Sequence, residues 1–169
     1  MVWSDHGFLL GEHFMWRKGL LYDVDCKSAF ILRAPGRVSP NTMCERIVET
    51  PDIYPTLADL CGLPKPTHLE GVSFAPLLRD PRLPWKKASL IYRDQGRSVG
   101  VVDERWRYNR YADHPQRDAL YDHDADPGEH VNLIHDAQHA GALVKLRALA
   151  DGGWKKCLPE IKAGGAAKE

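Results

Sequence analysis

Ser4-Asp5-His6-Gly7 sets a carboxylate and an imidazole side by side, directly after the apolar run Met1-Val2-Trp3. Asp offers a hard oxygen donor and His a nitrogen donor, so the pair suits half of a metal site. An apolar run that stops at such a pair reads as a buried strand with its carboxyl end exposed. In open α/β sheets that edge is where ligands bind. Gly7 permits a backbone conformation that a larger residue would resist. The ordinary alternative is a loop in which Asp5 caps a helix and His6 is solvated. His13, in Leu10-Gly11-Glu12-His13, could orient the loop that follows or protonate a leaving group. Its ordinary alternative is a structural histidine bonded to backbone.

These residues need elements to hold them. Trp16, Leu20, Leu21 and Tyr22 stand at loosely helical spacing, which predicts a helix within 12–22. Ser28 to Ala34 is a short apolar run closed by Pro35-Gly36 and reads as a buried strand. Arg46-Ile47-Val48 suggests another short strand. Thr50-Pro51-Asp52 is a helix start, with Thr at the cap, Pro in the first turn and Asp favoured by the dipole. Ile53, Leu57, Leu60 and Cys61 share one face, and Gly62 closes the helix. Ser73 to Leu78 predicts a short helix. From about residue 86 the pattern changes. The stretches 88–92, 97–102, 105–111 and 119–121 read as strands joined by short turns, so antiparallel pairing is expected. A helix is predicted over 136–150. The tail after Gly152, rich in Lys, Gly and Ala, is expected to be flexible.

Composition narrows the function classes. The 169 residues suffice for one domain with a core, and 43% hydrophobic with 27% charged content is ordinary for a globular chain. Lys and Arg number 23, as do Asp and Glu, so no bulk field favours nucleic acid or an anionic membrane. No apolar run approaches the roughly 18 residues of a spanning helix, and no signal peptide is visible. Cys26, Cys44, Cys61 and Cys157 show no C-x-x-C spacing and read as scattered thiols.

Ser4-Asp5-His6-Gly7-Phe8-Leu9-Leu10-Gly11-Glu12-His13, with Trp16 and Lys18, resembles the sulfatases of the alkaline phosphatase superfamily, in particular the iduronate-2-sulfatase-like and choline-sulfatase-like members. Three later stretches agree in order: Arg33-Ala34-Pro35-Gly36, the run Asp52-Ile53-Tyr54-Pro55-Thr56-Leu57 with Gly62-Leu63-Pro64, and Leu120-Tyr121-Asp122 with Asp126-Pro127-Gly128-Glu129 and Asn132-Leu133. The likeness runs from about residue 2 to about residue 150. It implies an α/β fold, namely the C-terminal part of an alkaline-phosphatase-like sulfatase ending in a small antiparallel sheet with a packed helix. On that basis residues 1–85 would belong to the catalytic α/β domain, 86–151 would form the C-terminal sheet-and-helix subdomain, and 152–169 the tail. Too few βαβ repeats are present to build the sheet, so an N-terminal half of the fold is expected to be missing.

The resemblance also implies roles. Asp5 and His6 would be two ligands of a divalent cation, usually Ca2+. Histidine is an unusual partner for calcium, so His6 could instead sit at the edge of the site. Lys18 would contact the sulfate or its leaving oxygen, as a compact ammonium can; Arg17 is its competitor. The implied partner is a sulfated small molecule or glycan, and family members are commonly periplasmic, secreted or lysosomal. The family nucleophile is a formylglycine made in a C/S-x-P-x-R segment. Cys157-Leu158-Pro159-Glu160-Ile161 lacks the arginine, and Cys61-Gly62-Leu63-Pro64 has the proline one place late. The nucleophile is therefore expected in the missing part, and this chain alone is expected to be inactive. Departures from the family pattern fall at Phe14, Cys26, Ala29 and Gly100. Two rival functions stand beside sulfate-ester hydrolysis: a truncated or degenerate domain without catalysis, and a phosphonate or phosphate monoester hydrolase of the same superfamily.

Two further motifs read as structural. The acidic run Asp122 to Asp126 fails as an EF-hand loop, with Pro127 where Gly is required and Leu133 where Glu is required. It reads as a turn stabilised by Asp side chains on nearby amides. Arg105 to Tyr111 alternates aromatic and basic residues; one face could stack on a sugar or base, but such a strand more often packs its aromatics inside and shows its arginines to water.

Overall fold

The computed structural model describes residues 1–38 and 40–160. Among the described residues there are eight strands: β1 Val2–Trp3, β2 Leu9–Leu10, β3 Trp16–Arg17, β4 Phe30–Ile31, β5 Ser89–Arg93, β6 Ser98–Val102, β7 Trp106–Tyr111 and β8 Ala119–Asp122. The same residues hold four interleaved α-helices: α1 Asp23–Cys26, α2 Ile53–Cys61, α3 Ala75–Arg79 and α4 Ala140–Gly152. Strands β5 to β8 form one antiparallel sheet in sequential order, as the short turns between them require. The β5–β6 turn passes through Asp94 and Gln95 at positive φ.

Register decides which side chains meet. Leu90, Val101, Tyr108 and Leu120 stand opposite one another across the four strands. They pack with Leu143, Leu146 and Ala150 of α4 to form the main core. The Asp136 carboxylate starts this end of the chain by accepting from Gln138 N. Gly153, at φ 71°, ends α4. A turn over Trp154–Cys157 then folds back, and Cys157, 2% exposed, joins the same core. The described part of the expected flexible tail is therefore packed; residues 161–169 lie outside the described residues. Burial pushes the Cys157 thiol up to about 11.

The opposite face of the sheet carries Ile91, Gly100, Asn109 and Arg107, and covers the N-terminal segment. A Cβ on Gly100 would stand 3.4 Å from Leu21 Cδ2. Arg107 corrects the expectation that β7 shows its arginines to water. Its side chain is 1% exposed and lies against Glu129, 2% exposed. Nη1 donates to Leu21 O at 2.8 Å and Nη2 to Asp23 Oδ1 at 2.7 Å. Nε lies 2.7 Å from Glu129 Oε1, an ionic contact whose angle does not make a hydrogen bond. Glu129 Oε2 in turn accepts from Asp23 N at 2.8 Å. A strand face covered by the rest of the chain cannot leave a guanidinium to solvent, so it must be paired.

The N-terminal third differs most from expectation. β1 pairs antiparallel with β4, Val2 opposite Ile31 and Trp3 opposite Phe30. Val2 is 65% exposed, so this ribbon is not the buried strand predicted from its apolar composition. In place of a helix over 12–22, β2 and β3 form a hairpin. Gly11 at φ 130°, followed by His13 and Phe14 at φ 52° and 58°, makes the turn. Glu12 fastens it by accepting from Leu10 N at 2.6 Å. No strand forms over 46–48. The helix expected after Thr50 is present as a turn over Thr50–Asp52 running into α2, capped by Glu49 instead of Thr50. Asp52 is fully buried and, with Glu49, holds the ammonium of Lys86.

Asp122 behaves as the expected turn residue, accepting from Asp124 N at 3.1 Å. It also takes a two-pronged bond from Arg105, Nε at 2.8 Å and Nη2 at 2.6 Å. That guanidinium holds the Asp122 carboxyl below the usual carboxylate range. A depressed folded-state value stabilises above the unfolded value of about 3.9, and the contribution is lost as pH falls through the folded value. Arg105→Gln should therefore flatten the acid limb of the stability–pH profile below about pH 4. An unchanged limb would show that this pair, exposed only on its arginine side, contributes nothing. Arg107→Ala should cost about 3–5 kcal/mol, because the buried Glu129 loses its countercharge and the half-buried Asp23 loses one of its partners. The measurement is the urea midpoint at constant slope; a loss under about 1 kcal/mol would remove Arg107 from its central place.

Candidate functional site

The short β1–β4 ribbon and the loop after β1 bring Asp5 and His6 to the wall of a cavity of about 1070 Å³. The segment leaving β3 brings Lys18 to the same wall. Gly7 is required here by close approach, not by an unusual φ. A Cβ on it would fall 1.9 Å from Val24 O. The strand tip thus presses against α1, and Gly7 N donates to Asp25 O at 2.8 Å. The Asp25 carboxylate reaches the other way and accepts from Leu20 N. One short helix therefore holds the Asp5–His6 segment and the Lys18 segment together.

Hydrogen-bond chemistry sets the state of His6. Its Nδ1 lies 2.5 Å from Gly7 O. A carbonyl only accepts, so Nδ1 carries the proton. Nε2 lies 2.8 Å from Lys18 Nζ. An ammonium only donates, so Nε2 offers its lone pair. His6 is then a neutral imidazole, and its 3.5 Å approach to Asp5 Oδ2 is not a salt bridge. Asp5 accepts from His6 N through Oδ1 at 3.1 Å, and its side chain is 77% exposed.

Asp5 and His6 fit the metal reading as two donors, one open carboxylate oxygen and one imidazole lone pair. Among the described residues no three His, Cys, Asp or Glu side chains are gathered as a metal-binding group. Calcium takes 6–8 oxygen-rich ligands, so these two make a partial set. The Lys18 ammonium already places a positive charge beside the imidazole lone pair.

His13 is placed elsewhere. Its ring stacks on Tyr22 with centroids 3.8 Å apart and planes within 8°, and His130 lies 5.9 Å away. It does not line the cavity that Asp5, His6 and Lys18 share. Among the lining residues not singled out in the sequence are Asp25, His123 and Arg93. His123 meets Glu129 at 2.7 Å and so joins the Arg107 network. For Arg93 a signal existed, since the alternation Ser89, Ile91, Arg93 places all three on the sheet face opposite α4. For Asp25 none did, because a four-residue helix has no periodicity.

Residues 11–151 match the family model described as "N-sulphoglucosamine sulphohydrolase, C-terminal". Among similar proteins, a Delta 4,5-hexuronate-2-O-sulfatase of Bacteroides thetaiotaomicron is 30% identical over 163 residues, covering 89% of this chain and 33% of the relative. Arylsulfatase K of Canis lupus familiaris is 30% identical over 145 residues, covering 77% and 26%. A protein solved in complex with its substrate D-glucosamine-2-N,6-O-disulfate superposes with a TM-score of 0.81 at 26% identity, over 91% of this chain and 33% of that one. The phosphonate monoester hydrolase of Agrobacterium radiobacter superposes at 0.70 with 28% identity, over 88% and 34%. The chain thus spans about a quarter to a third of the length of these relatives.

Gly7→Ala should separate the two site segments, since the new methyl would meet backbone. The expected result is a cost of about 1–3 kcal/mol together with faster amide exchange at Gly7 and Leu20. Parent-like exchange at both amides would show that α1 does not couple them.

Proposed function

The chain belongs to the sulfatase family of the alkaline phosphatase superfamily, matching its C-terminal portion, and from that premise we propose that it acts in sulfate-ester hydrolysis. Its part is to supply two donors of a divalent-cation site, Asp5 and His6, and the sulfate-binding Lys18. The observation that supports this most is the meeting of Lys18 Nζ and His6 Nε2 at 2.8 Å on the wall that also carries Asp5.

A sulfate ester is an anion whose cleavage builds charge on the leaving and non-bridging oxygens. The cation, calcium by preference, would supply Lewis-acid stabilisation of that charge and present the nucleophile. Lys18 would donate from its ammonium to a sulfate or leaving oxygen. The proton on His6 Nδ1, fixed by Gly7 O, keeps Nε2 as the acceptor on the side of Lys18. Asp5 would bring the negative charge that holds the cation. His13 is proposed to orient the β2–β3 hairpin through Tyr22. The nucleophile, a formylglycine, would come from sequence outside residues 1–169.

The substrate class proposed is a sulfated sugar or a related small sulfate ester. It is supported by the sulfatase named for a hexuronate among the relatives and by the disulfated glucosamine bound in the superposable structure. A second reading, phosphonate monoester hydrolysis, is favoured by the superposition on the Agrobacterium radiobacter enzyme.

The test uses a protein that carries this chain together with a nucleophile segment. Chelator-sensitive hydrolysis of a chromogenic aryl sulfate is the expected result; faster turnover of a phenylphosphonate monoester would favour the second reading. Asp5→Ala should abolish turnover, while His13→Ala should leave more of it, a proton-transfer or orienting group contributing about 10²–10⁴-fold at most. Parent-like rates for Asp5→Ala would overturn the metal assignment. Residues 1–169 alone should show no turnover above buffer, since the covalent step needs the nucleophile.

A further inference from the structure

Arg93 closes β5, and strand alternation turns it to the face opposite α4, in register with Ser98 of β6 and Tyr111 of β7. That face looks onto the segment carrying Lys18. The Arg93 guanidinium lies beside Gly19, the residue after Lys18: a Cβ on Gly19 would stand 3.6 Å from both Arg93 Cζ and Nη2. Gly19 has φ 84°, a conformation that favours glycine, and its bare backbone leaves room for the planar group. Arg93, Gly19 and Lys18 all line the same cavity as Asp5 and His6.

The Arg93 side chain is 33% exposed, and its ionic contact is a distant one, Nε to Asp94 Oδ1 at 3.9 Å. Among the described residues its guanidinium makes no hydrogen bond. The other charges around the cavity are mostly committed. Arg107 is held by Asp23 and Glu129, Arg46 by Glu104, and Glu49 by Lys86. Arg93 is therefore a cation with an open planar fork, next to the lysine proposed to hold the sulfate. Such a fork matches two oxygens of a carboxylate or a sulfate, where an ammonium acts as a point charge.

We propose that Arg93 is a specificity residue that binds a second oxyanion, a carboxylate or a second sulfate, on the same substrate molecule whose scissile sulfate Lys18 holds. The inference rests on the sulfate-ester reading above and adds the class of substrate: esters with two anionic groups over esters with one. Lys18 would carry contacts common to all substrates, and Arg93 those that distinguish among them.

The experiment compares phenyl sulfate, 4-(sulfooxy)benzoate and hydroquinone bis-sulfate with the parent and Arg93→Gln, in a protein that carries the nucleophile segment. Gln retains much of the side-chain stem and removes the charge and fork. The expected result is a roughly 10–100-fold fall in kcat/KM for one or both doubly anionic esters, by the loss of a charge-assisted bidentate contact, with phenyl sulfate within about 2-fold. The ester that loses more identifies the preferred second group. Equal losses on all three esters would mean a structural role, and no loss on any would mean no role; either overturns the proposal. If the parent hydrolyses none of them, the sulfate-ester reading has failed, and calorimetric titration with 4-(sulfooxy)benzoate decides on Arg93 alone. Binding at least 10-fold weaker in Arg93→Gln would sustain the oxyanion site, and equal affinity would overturn it.

Discussion

The buried guanidinium of Arg107 is the constraint on which the arrangement depends. It stands on a central strand of the only extended sheet among the described residues, yet it faces away from the main core. Its donors go to Leu21 O and Asp23 Oδ1, and its charge meets Glu129. A charge in that position is tolerated only when its partners are held in place. Leu21 and Asp23 are consequently pinned, and α1 begins at Asp23. From α1 the remaining links are short. Asp25 reaches Gly7 through its carbonyl and Leu20 through its carboxylate, and these neighbour His6 and follow Lys18. The site is thus hung from a sheet that contributes none of its Asp5, His6 or Lys18.

This explains how segments with little regular structure can hold a site. β1, β2, β3 and β4 have two residues each, too few to be stable as isolated ribbons. Their order comes from the contacts just traced and from the tight fit of Gly7 on Val24 O. The same dependence separates stability from chemistry. Loss of Arg107 should act on the whole assembly, whereas loss of Asp5, an exposed carboxylate, should leave the fold little changed.

What could be read from the sequence follows the same division. The four strands after residue 88 and helix α4 were legible because turn residues and apolar periodicity agree there. The α2 start was legible from Thr50-Pro51-Asp52, although the cap itself proved to be Glu49. The stretch 12–22 misled, because Trp16, Leu20, Leu21 and Tyr22 imitate a helical face. Gly11 and two positive-φ residues instead make a hairpin, and Leu21 is buried under the sheet. Arg107 could not be foreseen as buried, since its ligands lie 84 and 86 residues away. Asp5, His6 and Lys18 were legible as candidates, and the structure brings them to one wall. His13 was legible as a candidate too, but it is committed to Tyr22. Long-range pairing is what residue patterns do not encode, and it decides which charged groups are free to act.

That distinction carries through to the cavity. A charged residue can serve a ligand only if the fold has not already used its charge. By this criterion Asp23, Glu129 and Arg107 are structural, although two of them line the cavity beside Lys18. Asp5 remains open to solvent and Lys18 is bonded only to a neutral imidazole among the described residues. Asp5 and the two cations Lys18 and Arg93 share the cavity wall, and they keep charge that the fold has not consumed.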